Sequence, residues 1–134
     1  MFFRNLIILC LIIFSSTVYA ATYWGSIYVD QSTGSTGYSF DYSEEKVAIK
    51  EALKNCQKQS SKRKCDHIAT WSNGCGAVAW SPKNKSARSG IADSSLDLAK
   101  KNALKRCRQI EGDSGCMIIQ ALCTSWDTEE VIWW

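Results

Sequence analysis

GSIYVDQSTGSTGYSFDYSEEKVAIKEALKNCQKQSSKRKC, residues 25–65, and GAVAWSPKNKSARSGIADSSLDLAKKNALKRCRQIEGDSGC, residues 76–116, are one pattern written twice. Laid over each other without a gap, they are displaced by a constant 51 residues. Ser43, Ala48, Ala52, Leu53, Lys54, Cys56 and Cys65 meet Ser94, Ala99, Ala103, Leu104, Lys105, Cys107 and Cys116. An internal repeat defines the structural unit before any element is assigned, and here each unit brings its own cysteine pair.

Within a unit the pattern changes period. Residues 24–29 and 76–80 carry β-branched and aromatic side chains in alternation, with Ile27 and Val29 matched by Val78 and Trp80, and both predict strands. Turn-forming runs over 31–37 and 82–88 lead back into second strands near 38–41 and 89–92. Ser43 and Ser94 then stand where a helix N-cap belongs, followed by Glu44 and Glu45 in one copy and Asp97 in the other. Ile49, Ala52, Leu53 and Cys56 recur at helical spacing, as do Leu96, Ala99, Ala103 and Cys107. After a polar stretch, residues 67–71 and 117–123 predict a third strand in each copy. The expected fold is α+β: two tandem strand-strand-helix-strand repeats forming one disulfide-stapled domain, with its sheet covered by two helices.

The N-terminus has the organisation of a secretory leader: Arg4, an apolar run from Leu6 to Phe14, then Ser15, Ser16 and Thr17. Val18 and Ala20 place cleavage after Ala20, and the apolar run is short for a bilayer-spanning helix, which needs about 20 residues. The expected organisation is a signal peptide over 1–20, a single domain over 21–126 with repeats at about 24–74 and 75–126, and a tail over 127–134. Cys10 leaves with the leader, so the chain's 7 cysteines become Cys56, Cys65, Cys75, Cys107, Cys116 and Cys123. An even number in an exported chain of this size reads as disulfides, and no C-x-x-C pair supports zinc. The repeat predicts local bridges Cys56–Cys65 and Cys107–Cys116, leaving Cys75 with Cys123; their counterparts in the first copy are Trp24 and Ser72, so both members of the third pair are absent there together.

The sequence Gly76-Ala77-Val78-Ala79, the runs Ala52-Leu53-Lys54-Asn55-Cys56 and Ala103-Leu104-Lys105-Arg106-Cys107, and the later cysteines together resemble the bacterial family called domain of unknown function 4189. The likeness covers residues 24–126 and rests on a pattern, not on one rare motif. It implies a small exported bacterial protein with disulfides and carries over no catalytic residue or ligand. The extension after Trp126 departs from both the repeat and the resemblance.

Chemistry-bearing residues are sparse. His67 is the single histidine, two residues after Cys65, and its counterpart is Ile118. It is the candidate for catalytic or pH-sensitive work, yet no serine, cysteine or carboxylate partner is placed beside it by motif, so a sheet residue near a disulfide is the plainer reading. Asp41, Glu44, Glu45 and Asp66 are nominal carboxylates for a glycan hydrolase, with nothing in their spacing to pair two of them. No metal site and no cofactor is expected.

Charge offers a surface instead. Lys46, Lys50, Lys54 and Lys58 form a ridge along the first helix, and Lys101 and Lys105 contribute to the second. Side by side, two such helices would present a positive face to an acidic protein, anionic headgroups or an acidic wall polymer, although the net charge of +3 also fits an ordinary solvated face. The tail turns from acidic to apolar and ends in Trp133 and Trp134, which serve either as partner anchors or as a cover for the protein's own sheet. Taken together the expectation is an exported, periplasmic or secreted, module that binds a protein partner, with a periplasmic inhibitor or immunity protein as a concrete instance. A secreted effector or surface protein and a small cell-wall hydrolase are the alternatives. Neither nucleic acid nor a membrane span after leader cleavage is expected.

Overall fold

The computed structural model describes residues 21–124; the expected leader and the tail with Trp133 and Trp134 lie outside the described residues. Two copies of strand-strand-helix-strand follow each other. The first comprises β1 (Trp24–Asp30), β2 (Ser35–Tyr42), α1 (Glu45–Gln59) and β3 (Asp66–Ser72). The second comprises β4 (Gly74–Ser81), β5 (Ser86–Ala92), α2 (Leu96–Glu111) and β6 (Met117–Thr124). Each copy makes its own antiparallel three-stranded sheet, in the order β2-β1-β3 and β5-β4-β6, and each sheet carries its own helix.

Alternation along the strands assigns the faces. Ile27 stands opposite Tyr38 and Ala69, and this face joins Val29, Trp71, Val78 and Ala87 in one buried cluster drawn from both copies. The two sheets therefore pack face to face over an apolar core. The opposite faces receive the helices: Ser26 stands across from Ser39, whose Oγ donates to the Ala48 carbonyl of α1 at 2.6 Å. In the second copy Ala77, Ala79, Ala92, Ala99, Ala103 and Cys107 form the corresponding layer beneath α2. The helices thus lie on opposite outer faces, not side by side, and the lysines form two separate basic faces in place of a joint one. The small helical residues are the reason each helix lies close to its sheet: Ala48, Ala52 and Cys56 in α1, and Ala99, Ala103 and Cys107 in α2, are fully buried.

Disulfides join Cys56 to Cys65, Cys107 to Cys116 and Cys75 to Cys123, the three pairs that the repeat singles out. One other expectation is corrected. The helix caps fall one residue later than Ser43 and Ser94: Ser95 Oγ accepts from the Leu98 amide at 3.1 Å, while the corresponding Glu44 makes no side-chain cap bond. Ser94 and Ser95 are chemically equal, and the one with extended backbone at the helix start takes the role. The connection between the copies is Asn73 alone, at φ 44°, with β4 beginning at Gly74. Asn73 holds that left-handed conformation by accepting from the Tyr23 amide at 2.8 Å and donating its own amide to the Tyr23 carbonyl at 2.9 Å.

The two copies lock strand to helix with the same chemistry turned around. At the end of β1, Asp30 accepts from Ser60 Oγ just after α1 at 2.7 Å; at the end of β4 the corresponding residue is Ser81, which donates to Asp113 just after α2 at 2.6 Å. Both acids are buried. The Ser32 and Ser60 hydroxyls hold the Asp30 carboxyl below the ordinary carboxylate range, and the Ser81 hydroxyl with the Gly115 amide does so for Asp113. A carboxyl lowered by folding contributes its full stabilisation above its unfolded value of about 3.9 and loses it as pH falls towards the lower folded value. Urea unfolding midpoints should therefore drop steeply below about pH 4. The double variant Asp30→Asn, Asp113→Asn should be weaker at neutral pH yet show a flatter acid limb.

Candidate functional site

Because the copies share a scaffold, differences between them mark where something other than folding shaped the chain. Three such places stand out.

The first surrounds His67 on β3. Its ring meets Tyr28 edge-on at 5.3 Å, and its Nε2 lies 2.6 Å from Thr70 Oγ1. Thr70 Oγ1 is 2.9 Å from Ser26 Oγ, which donates to the Ala69 carbonyl at 3.1 Å. Burial raises the Tyr28 hydroxyl above its ordinary value. In the second copy Ser26, Tyr28, His67 and Thr70 are replaced by Ala77, Ala79, Ile118 and Ala121. The imidazole and a hydroxyl are in nucleophile-to-base contact, but no carboxylate joins the cluster among the described residues, so nothing there orients the ring as a triad would. Of the nominal carboxylates, Asp66 is engaged by Gln31 Nε2 at 3.0 Å.

The second is the set of lysines, of which Lys46 and Lys58 give way to Asp97 and Gln109 in the second copy while Lys50 and Lys54 recur as Lys101 and Lys105. Lys46, Lys50, Lys54 and Lys58 are exposed on α1, and Lys101 and Lys105 on α2. Among the described residues the one ion pair is Arg88 with Glu111, so none of these lysines is ion-paired there.

The third, which sequence reasoning passed over, is a groove of about 370 Å³ between β2 and the C-terminal half of α1. Thr36, Gly37, Tyr38, Ser39, Phe40, Asp41 and Tyr42 supply one wall, Asn55 and Gln59 the other. A break in register falls within its β2 wall. β4 pairs with β5 without interruption from Cys75–Ala92 to Ser81–Ser86, whereas β1 and β2 slip between Trp24–Tyr42 and Ser26–Ser39, so that Phe40 and Asp41 together oppose Gly25. Such a bulge re-aims the side chains around it. By contrast, the irregularity between β1 and β3 at Ile27/Tyr28 recurs between β4 and β6 at Val78/Ala79, and is scaffold.

Asp41 sits at the bulge with φ 61°. Its Oδ1 is buried and has no hydrogen-bond partner among the described residues, and burial raises its carboxyl above the ordinary carboxylate range. A non-glycine residue in the left-handed region with an unpaired carboxylate oxygen carries strain and desolvation that the fold itself does not require, since Ala92 holds the corresponding place in the second copy. Tyr38 and Phe40 stack with ring centroids 6.3 Å apart at the same edge. Asp41 was legible as one of several acids; the signal that would have separated it is its exchange for alanine across the repeat.

No group of three or more histidine, cysteine, aspartate or glutamate residues is placed to hold a metal among the described residues. No helix there is long and apolar enough to cross a membrane. Duplicated ββαβ units, each stapled by its own local disulfide, with a third bridge in the second copy, define a disulfide-stapled tandem-repeat α+β domain. Residues 24–123 match the family described as domain of unknown function (DUF4189), and the chain belongs to that family. No curated protein and no solved structure matches it.

Proposed function

We propose that this chain is an exported module that binds a protein partner in the envelope or outside the cell, and that the first copy is the one that binds. The observation that carries this reading is the asymmetry of an otherwise repeated scaffold. Only the first copy breaks the register between its first two strands, and the groove of about 370 Å³ lies there beside an exposed strand edge. Clefts that combine aromatic walls with a few convergent polar groups are where proteins hold ligands. Disulfides fit an oxidising compartment, and the leader-like N-terminus supplies a route to it. A periplasmic inhibitor or immunity protein is the kind of protein that uses such a stapled, rigid module. The hydrolase alternative is weaker because the His67 cluster lacks an orienting acid, and the acids near the groove are not paired.

The reading is tested with the mature oxidised protein immobilised and challenged with envelope extract. One protein should be retained at near-stoichiometric amounts, and its purified form should bind in solution with the same stoichiometry. Retention of nothing across a range of salt concentrations overturns the proposal.

A further inference from the structure

The edges of the two sheets are defended differently. β2 and β5 occupy corresponding edge positions, and an edge strand presents unpaired amides and carbonyls that invite another strand. On β5 two helical side chains cover this row: Arg106 Nη1 donates to the Ser89 carbonyl at 3.2 Å, and Asn102 Nδ2 donates to the Ile91 carbonyl at 3.1 Å. On β2 the first guard is kept, since Asn55, the counterpart of Arg106, donates to the Tyr38 carbonyl at 2.9 Å. The second is lost. Glu51 takes the place of Asn102, and a carboxylate has no proton to offer the carbonyl of Phe40, the counterpart of Ile91. Among the described residues no side chain covers the edge at Phe40, next to the bulge and to Asp41.

We infer that the β2 edge accepts an extended segment of a partner protein by strand addition, and that this segment places a lysine or arginine against Asp41. The inference deepens the protein-binding reading above and rests on it. Strand addition draws affinity from main-chain hydrogen bonds and specificity from pockets that receive alternate side chains. The groove between β2 and α1 has that form, with Asn55 and Gln59 on the wall facing the strand. Charge selects the occupant. Among the described residues Asp41 is the one charged residue lining the groove, and its buried Oδ1 lacks a partner there. An unpaired carboxylate oxygen shielded from water is satisfied most strongly by a cationic donor. The chain's own C-terminal residues 125–134 contain no lysine or arginine and three acids, so their charge is wrong for this place.

Panning a displayed library of random decapeptides against the full-length oxidised mature protein tests the assignment. Enriched peptides should share a lysine or arginine within a β-prone, apolar-containing stretch. Their binding, followed by fluorescence anisotropy, should weaken about tenfold or more in Asp41→Asn, with a shallower salt dependence. Glu51→Asn, which installs the guard used by β5, should weaken them similarly. Both variants should unfold no more easily than the parent. Lys105→Ala on α2 should bind as the parent does, and bound peptide should slow amide exchange along β2. No enrichment overturns the inference, as does equal binding by both groove variants or loss of binding in Lys105→Ala. Enrichment of acidic, tryptophan-rich peptides resembling residues 125–134 makes the chain's own tail the occupant and equally overturns it. If the immobilised protein retains a stoichiometric partner that Asp41→Asn and Glu51→Asn bind unchanged, the protein-binding reading stands and the strand-addition site falls.

Discussion

Gly37→Ala is expected to leave little folded protein at ambient temperature, a loss of more than about 4 kcal/mol and therefore most of the stability a domain of this size has. Gly37 is the point where β2 touches α1 backbone to backbone. A methyl group added there runs into the amide nitrogen and Cα of Cys56 and lies 2.6 Å from the Ala52 carbonyl oxygen. None of these atoms can rotate away, unlike the end of a side chain, so α1 must lift as a unit. Lifting it uncovers Ala48 and Ala52 and pulls on Cys56, which is bonded to Cys65. Gly112→Ala is the contrast: φ is 60°, but nothing lies within 4 Å, so only the left-handed backbone is penalised, at about 1 kcal/mol. Thermal unfolding of the two variants should separate them widely, and similar melting temperatures would show that α1 does not rest on β2 at this contact.

Replacing both Cys75 and Cys123 by serine should destabilise more than replacing Cys56 and Cys65. Loop closure is the first reason. The Cys75–Cys123 bridge spans a sequence separation of 48 and the Cys56–Cys65 bridge a separation of 9. Restricting the unfolded chain over these loops is worth about 4 and about 2.6 kcal/mol respectively. Burial does not separate the two pairs, since Cys56 and Cys75 are both buried and a serine hydroxyl would need a partner at either place. Strand pairing is the second reason. The Cys75–Cys123 bridge joins directly paired residues of β4 and β6, so its loss loosens the strand that closes the second sheet. Urea unfolding at neutral pH measures both double variants, and an equal or reversed order would mean that the local bridges carry the fold.

The lesson about the groove is carried by three residues. Asp41, Glu51 and Asn55 read as unremarkable polar positions along the chain, and the repeat alone shows that two of them have changed character, to Ala92 and Asn102. What those changes mean depends on which carbonyls face outward, and so on the register of β1 against β2. A single slip there turns Asp41 into a strained residue with an unpartnered oxygen. His67 shows the opposite case. As the single histidine it draws notice in sequence, and the structure surrounds it with Tyr28, Thr70 and Ser26 without a carboxylate.

By itself, the sequence determined the repeated strand-strand-helix-strand unit, the alanine-lined helices and the pairing of six cysteines. These follow from periodicity and from a constant displacement, both of which are local properties of the chain. Tertiary structure alone decided that the two units stack sheet against sheet with helices outermost, that Trp71 packs over the matching Gly25 and Gly76, and that α1 docks at Gly37 while α2 docks at Gly90, the counterpart of Ser39 and so two residues further along the equivalent strand. The physical reason is steric. Gly37 lies opposite the bulky Tyr28, whereas its counterpart Arg88 lies opposite Ala79 and runs to Glu111, so each helix settles where its own sheet leaves room. Which backbone approaches which depends on pairs of side chains brought together from distant parts of the chain, and no local pattern records that.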